Sequence, residues 1–416
     1  MTSSPDIHLA VALDGAGWHP AAWREADARP DELFTARYWS ELAQESERGR
    51  LDFLTIEDSL ALQSGRRGMV DRRTDQVRGR LDATLLAARI APTTSLIGIV
   101  PVVTTTHTEP FHVSKAIATL DYVSNGRAGL QARISATDLE ARQFGRRVIP
   151  YLRSDDADPD ADPDADLIDD IGDSPPSPDP EVVLDLFDEA AEVVDVVRRL
   201  WDSWEDDAEI RHVATGRFID RDKLHYINFV GPHFSVKGPS ITPRPPQGQP
   251  LVCVLAHIAP AFRLAARSAD VVFITPRTTD WVRSLVATVR THEVDERRQE
   301  APLKILIDIT VFLDHTTEAA QARKDRLDAL DGQPLKSDAL VFAGTAANLA
   351  GLMVEWHAAG ADGFRLRPGS LPHDLKFITQ ELTSALRDRG VFSQQYVDSS
   401  LRARLGLTRP ANVYAN

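Results

Sequence analysis

The stretch SLIGIVPVVTTTHTEPFHVSKAIATLDYVSNGRAGLQARI, residues 95–134, decides the fold. Residues 95–103 form a short run rich in β-branched side chains, the pattern of a buried strand. Residues 113–123 place apolar side chains at helical spacing, and residues 127–134 return to strand. Ser124-Asn125-Gly126 stands between them, where Asn and Gly tolerate the positive φ that ends a helix. A strand, a helical crossover and a second strand make a parallel pair. Working outward, the alternation recurs, with strands expected at 7–13 and 51–56 and helices at 33–48 and 81–91 before it. Further strands are expected at 251–256, 271–274, 303–312 and 363–366. Eight such steps predict an α/β fold in which the 416 residues form a single (β/α)8 TIM-type barrel with insertions.

Two segments interrupt the rhythm. Residues 154–180, SDDADPDADPDADLIDDIGDSPPSPDP, contain eleven Asp and no Lys or Arg. Repelling carboxylates, repeated Pro and little to bury predict a disordered surface insertion. An EF-hand reading fails, since counting from Asp158 puts Pro163 where Gly is needed and Asp169 where a bidentate Glu is usual. Residues 205–249 read as an ordered excursion from the barrel, and 389–416 as a C-terminal extension. The 47 Lys+Arg against 62 Asp+Glu give a net charge of −15, which favours neither nucleic acid nor an anionic membrane as partner. The single cysteine, Cys253, excludes a disulfide framework and a Cys-rich metal site. With no signal-peptide pattern and no long apolar run, the expectation is a soluble, cytoplasmic protein.

Several chemistries lack their motifs. There is no GxxxxGK[ST] loop, GxSxG elbow, HExxH or CxxC. Gly15-Ala16-Gly17 follows the first strand, but Pro20 takes the third glycine's place, so a Rossmann dinucleotide site is not expected. His107, Glu109 and His112 suggest a metal until Pro110 is noticed between them, which favours a loop at the barrel mouth over a shared helix face. No metal site is expected.

The longer motifs carry a resemblance. They are GWHPAAWR (17–24), LDFLTIEDS (51–59), TTTHTEPFHVSKAIATLDYVSNGRAG (104–129), LWDSWEDDA (200–208), FSVKGPSITPRPPQGQP (234–250), LAARSADVVF (264–273), GADGFRL (360–366) and RGVFSQQYVDSSLRARLGLTRP (389–410). In this order they resemble the bacterial luciferase-like, flavin-dependent monooxygenases, and within them the branch acting on nitrilotriacetate, long-chain alkanes and dibenzothiophene sulfone. The resemblance implies reduced FMN at the C-terminal mouth of the barrel, supplied by a separate flavin reductase and used with O₂ on a small organic substrate, in a homo-oligomer. The protein's tasks would be to hold the ring, exclude water and position the substrate.

Position by position, the family's acidic residue after the second strand falls on Asp58, and its Ser/Thr pair after the third on Thr104 and Thr105. Of its Trp-Asn-x-Val-Thr-Ser after the fourth strand only Ser135 remains, and Gln131 and Arg133 precede it. Its cofactor-touching Tyr falls on Phe187. Its phosphate turn, Gln-Ala-Gly-x-Ser, becomes Val254-Leu255-Ala256-His257-Ile258, leaving His257 as a phosphate donor or a capping or core residue. His19 matches the histidine after the first strand and is the catalytic candidate, with a structural role as the alternative.

Strand alternation puts Gln131, Arg133 and Ser135 on one face, expected to be the barrel side. An arginine there needs an anion. Either Arg133 pairs with Asp58 and fills the flavin-ring site, or it holds a ligand phosphate or carboxylate; a register slip would instead send it to solvent. Two functions follow. One is an FMNH₂-dependent monooxygenase, favoured by Asp58, Thr104, Thr105 and Ser135. The other is a diverged paralogue without flavin, a ligand-binding or interaction protein, favoured by the changes at Gln131, Phe187 and Ile258. Deazaflavin-dependent hydride transfer is a third, disfavoured because the long motifs match the FMN branch.

Overall fold

The computed structural model describes residues 7–64, 71–149, 178–296, 301–393, 395–396 and 398–415. Its centre is a closed parallel barrel of β1 His8–Leu13, β2 Phe53–Ile56, β3 Gly98–Thr104, β4 Gly129–Arg133, β5 Leu251–Leu255, β6 Val271–Ile274, β7 Lys304–Leu313 and β8 Gly363–Pro368. Neighbours pair in chain order, and β8 closes on β1 from His8↔Gly363 to Val11↔Leu366. All eight expected strands form. Helices α1 Ala36–Arg48, α2 Ala83–Ile90, α3 Pro110–Val123, α4 Pro180–Asp202, α5 Ala259–Ser268, α6 Thr279–Glu296, α7 Thr317–Asp331 and α8 Ala346–Ala358 surround it.

Local chemistry sets the helix ends. Thr35, Asp82, Thr316 and Thr345 accept the first-turn N–H groups of α1, α2, α7 and α8, which would otherwise lack partners. Asn125 and Gly126 take positive φ, 57° and 82°, after α3, as the turn required. A ninth strand, Leu340–Gly344, was not legible. It exists because β7 has ten residues and β6 four; β6 covers one edge of β7 as far as Ile307, and Leu340–Gly344 covers the same edge from Ile309 upward.

Side-chain alternation divides the barrel into two packed regions. Outward residues such as Leu9, Val11, Leu54, Leu130 and Ala132 pack beneath the helices. Inward, Ala10, Phe53, Val100, Leu251, Val271, Phe273 and Leu306 fill the lower half around the buried thiol of Cys253. The C-terminal extension closes this layer from below with Leu401, Leu405 and Leu407, each contributing about 1.5–3 kcal/mol by burial. Residues 205–249 carry two antiparallel hairpins, Glu209–His212 with Arg217–Ile219 and Phe229–Val230 with Ser235–Val236. Of the acidic insertion, residues 154–177 lie outside the described residues. Asp179 caps α4 by accepting the Glu181 N–H at 2.9 Å. Among the described residues no helix is long and apolar enough to cross a membrane.

Candidate active site

Above the apolar layer the barrel interior becomes polar. Asp308 of β7 stands in register with Arg365 of β8, whose Nε and Nη2 donate to its carboxylate at 2.7 and 2.5 Å. Arg365 Nη1 donates to Gln131 Oε1 at 2.5 Å. One alternation higher, Arg367 also donates to Asp308 and reaches Asp338 Oδ1 at 2.5 Å. His257 Nε2 lies 3.2 Å from Asp338 Oδ2, and its Nδ1 lies 3.1 Å from Thr275 Oγ1. A continuous polar chain therefore crosses the barrel from His257 to Gln131. Arg365 stacks 3.8 Å from the Phe273 ring and Arg367 4.5 Å from the Trp18 ring. Burying such charges costs several kcal/mol each unless every one is paired, and here two guanidinium groups meet two carboxylates. Burial opposes ionisation of Asp338, yet His257 and Arg367 outweigh it and hold its carboxyl well below the usual range.

The C-terminal ends of β2, β3 and β4 form a second cluster at the mouth. Arg133 Nη1 donates to the Asp58 carbonyl oxygen at 2.9 Å and to Thr104 Oγ1 at 3.3 Å, and its Nη2 to Glu140 Oε1 at 2.8 Å. The ion pair expected with the Asp58 carboxylate does not form. That carboxylate faces away, accepting the N–H groups of Ser59 at 2.7 Å and Ala83 at 3.1 Å, and so ties β2 to the start of α2. The partner is Glu140, on the short helix Asp138–Arg142. The register slip does not occur either, since Thr104↔Arg133 and Val102↔Gln131 face the interior pairwise. Thr105 donates through N–H and hydroxyl to the Arg133 carbonyl at 2.8 and 3.1 Å. The buried Ser135 donates its N–H to Thr106 Oγ1 at 2.8 Å.

The buried polar atoms without a hydrogen-bond partner among the described residues include Glu57 Oε1, His107 Nε2 and Glu140 Oε2. These three belong to the segments following β2, β3 and β4. Burial raises the Glu57 carboxyl above its usual range, with Arg365, 3.8 Å away, only partly opposing it. For Glu140 burial acts the same way, but Arg133 and the hydroxyls of Ser135 and Ser59 win and keep it ionised. His107 stacks on Phe144 at 5.0 Å, and burial lowers its pKa. A narrow pocket opens beside Glu57 between Asp14, Trp39, Val77 and Arg80.

His19 lies apart from both clusters. It is 2% exposed; its Nδ1 accepts the Ala21 N–H at 3.0 Å, and its Nε2 meets Asp328 Oδ1 at 3.0 Å. A backbone N–H can only donate, so Nε2 carries the proton and both nitrogens are engaged. Burial keeps the ring neutral by lowering its pKa, against the opposing pull of Asp328. Leu186 is buried on α4, Phe187 packs against the main core, and Ile258 is about half exposed before α5.

The luciferase-like monooxygenase profile matches residues 16–163 and 185–366. The chain belongs to that family. N-acetyl-S-(2-succino)cysteine monooxygenase of Bacillus subtilis (strain 168) is 29% identical, with all of both chains aligned. Nitrilotriacetate monooxygenase component A of Aminobacter aminovorans is 28% identical over 100% of this chain and 99% of its own. Dibenzothiophene-sulfone monooxygenase of Rhodococcus erythropolis (strain XP) follows at 25%, over 99% of this chain and 98% of its own. Among solved structures, EDTA monooxygenase from Chelativorans sp. BNC1 superimposes with a TM-score of 0.77 at 22% identity, covering 97% of this chain and 99% of that one. Long-chain alkane monooxygenase gives 0.79 at 21%, covering 98% and 96%. The barrel is thus the family's fold from end to end.

Sequence reasoning named Asp58, Thr104, Thr105, Gln131, Arg133, Ser135 and His257 as cofactor-binding candidates, and all seven lie in or beside these two polar clusters; it did not name Glu57, Glu140, Asp308, Asp338, Arg365 and Arg367. Four of these had a readable signal. In GFRLRP (363–368) and KILIDITVFL (304–313), the alternation that turned Arg133 inward does the same for Arg365, Arg367 and Asp308; Glu57 shares the inward parity of Phe53 and Thr55. Glu140 and Asp338 sit in connections, where no periodicity marks them.

Proposed function

We propose that the protein is a monooxygenase that uses reduced FMN, supplied by a separate flavin reductase, to oxidise a small organic molecule with O₂. Family membership over residues 16–163 and 185–366 supports the class. The observation that carries the assignment to this mouth is that three buried atoms, Glu57 Oε1, His107 Nε2 and Glu140 Oε2, have no hydrogen-bond partner among the described residues. Leaving a buried polar atom unsatisfied costs about 1–3 kcal/mol, and a flat heterocycle with donors and acceptors along one edge would satisfy them. The residues fit such a ring: Glu57, whose proton burial holds more tightly than usual, and Glu140 as an acceptor, with Thr104 and Arg133 as donors between them. His257 and the Ala259 N–H at the start of α5, which has no side-chain cap, fit the phosphate end. When bound, reduced flavin would supply the electrons and the oxygen activation. The protein's part is to exclude water through the 71–81 segment and α1, which line the pocket beside Glu57.

The position of Arg133 favours a second reading, a flavin-free binding protein, because its guanidinium already covers the Asp58 carbonyl and the Thr104 hydroxyl. One titration separates the two. Purified protein is mixed with FMN and with anaerobically reduced FMN while absorbance and fluorescence are followed. The monooxygenase reading expects saturable binding, tighter for the reduced form. No binding of either form by folded protein overturns it and leaves the second.

A further inference from the structure

At the opposite end of the barrel, beneath the starts of β1 and β2, a buried arginine stands without a partner. Arg404 is 4% exposed, and its Nε, Nη1 and Nη2 make no hydrogen bond among the described residues. Every other buried arginine of the described residues is engaged. Arg127 donates to Ser124, Thr94, Ile97 and Ala91, and Arg402, on the same turn of chain as Arg404, meets Asp270 at 3.0 Å. Arg244, Arg323, Arg365 and Arg367 each hold a carboxylate.

The groups around Arg404 explain why none of the described residues neutralises it. Its guanidinium stacks 4.8 Å from the Tyr396 ring, but the Tyr396 hydroxyl donates to the Leu51 carbonyl at 2.8 Å and so remains a neutral phenol. Asp52 accepts the Leu9 N–H at 2.9 Å and lies 3.3 Å from His8 Nδ1. Glu47 accepts the N–H groups of Ser95 at 2.8 Å and Ile97 at 3.0 Å. Asp398 accepts the Ser400 N–H at 2.8 Å. Each nearby carboxylate is engaged elsewhere, and none reaches the guanidinium.

Arg404 lines a cavity of about 390 Å³, counting its open side, with His8, Arg50, Asp52, Ser393 and Tyr396. Arg50 has no ion-pair partner among the described residues and is exposed at its rim. A planar guanidinium at the back and a second at the rim match an oxyanion, with Asp52 on the same wall limiting how much negative charge fits.

We propose that this cavity is a second ligand site, at the end of the barrel opposite the mouth, which binds the carboxylate or phosphate group of a small molecule with Arg404 as its anchor. Its occupation would replace a missing counter-ion, so the ligand would stabilise the fold without entering the mouth.

Isothermal titration and thermal melting with inorganic phosphate and, separately, with succinate test this. The wild type is expected to bind at least one probe saturably with a rise in Tm, and which probe binds tells phosphate from carboxylate. Arg404→Leu is expected to weaken that binding about tenfold or more and to melt higher than wild type when no anion is present, since it removes an uncompensated buried charge. His257→Ala, at the mouth, is expected to keep the binding. If Arg404→Leu does not fold, Arg50→Ala reads the same site and is expected to weaken binding severalfold. No saturable binding of either probe, binding indifferent to both arginine substitutions, or binding lost with His257→Ala would overturn the proposal.

Discussion

Arg133 and Glu140 are joined at 2.8 Å across the top of the barrel, linking the end of β4 to the following connection, with Ser59 Oγ and the Leu60 N–H bound to the same carboxylate oxygen at 2.8 and 3.1 Å. One carboxylate therefore holds the ends of two strands. Glu140→Ala is expected to cost about 2–4 kcal/mol, because it removes the carboxylate that Arg133 holds and the acceptor of its Nη2 and of the Ser59–Leu60 turn. Urea unfolding checks it. Arg133→Gln should cost less, since the guanidinium is partly exposed and its loss removes only one of Glu140's partners. Under the flavin-free reading Arg133→Gln should expose the mouth and create flavin binding that the wild type lacks.

Glu57 and Glu140 should impose opposite pH trends. Glu57 has a folded pKa raised by burial, so the folded state holds its proton more tightly, and stability falls as pH rises from the unfolded carboxyl value, about 4.3, through the folded one. Glu140 is lowered, so its contribution is complete above about 4.3 and is lost as pH falls through its folded value. Glu57→Gln should therefore melt higher than wild type near neutral pH and level with it in acid. Melting curves across pH, wild type against variant, measure the difference; identical pH profiles would contradict a raised Glu57 pKa.

His19 tests how a buried histidine behaves when both nitrogens are engaged. Its pKa is lowered by burial, so its folded-state contribution is present above the unfolded value of about 6.5 and is lost as pH falls below it. His19→Ala should cost about 2–3 kcal/mol at neutral pH and reduce the acid-side loss of stability. Flavin affinity should be unchanged if His19 only positions the loop after β1, whereas a direct role at the cofactor would shift it.

The sequence predicted the barrel strand by strand because the signal is local: short β-branched runs, helical spacing between them, and turn residues such as Asn125 and Gly126. It placed Gln131 and Arg133 inward by parity alone. The identity of Arg133's partner was not legible. Choosing between Asp58 and Glu140 depends on which way a carboxylate turns once backbone N–H groups compete for it, and Ser59 and Ala83 capture Asp58. Leu340–Gly344 was missed because its existence depends on the unequal lengths of β6 and β7, a property of the closed barrel.

The polar layer of the barrel depends on a single shared anion. Asp308 serves both Arg365 and Arg367, and all three are essentially inaccessible. Asp308→Asn keeps the shape but halves the acceptor capacity and removes the charge, and should cost about 3–5 kcal/mol. Arg365→Met alone should cost less than Asp308→Asn, because Asp308 keeps Arg367. In a double variant the two losses should fall well short of additive. Denaturant midpoints of the three variants check this.

The lower layer should respond to size instead of charge. A Cβ on Gly98 would lie 2.7 Å from Leu401 Cδ1 and 2.8 Å from Phe53 Cβ, so the C-terminal extension occupies space that this glycine leaves free. Gly98→Ala should cost about 1–3 kcal/mol through overpacking, and Leu401→Ala about 2–4 kcal/mol through the cavity it opens. Together they should cost less than the sum, since the smaller residue at 401 relieves one of the two clashes, while Phe53 Cβ, fixed to its strand, preserves the other. A double-mutant cycle by urea unfolding gives the coupling. Because this contact lies at the end of the barrel away from Asp58 and Arg133, flavin titrations of folded variants should match wild type, and an altered affinity would show that the plug and the mouth are mechanically connected.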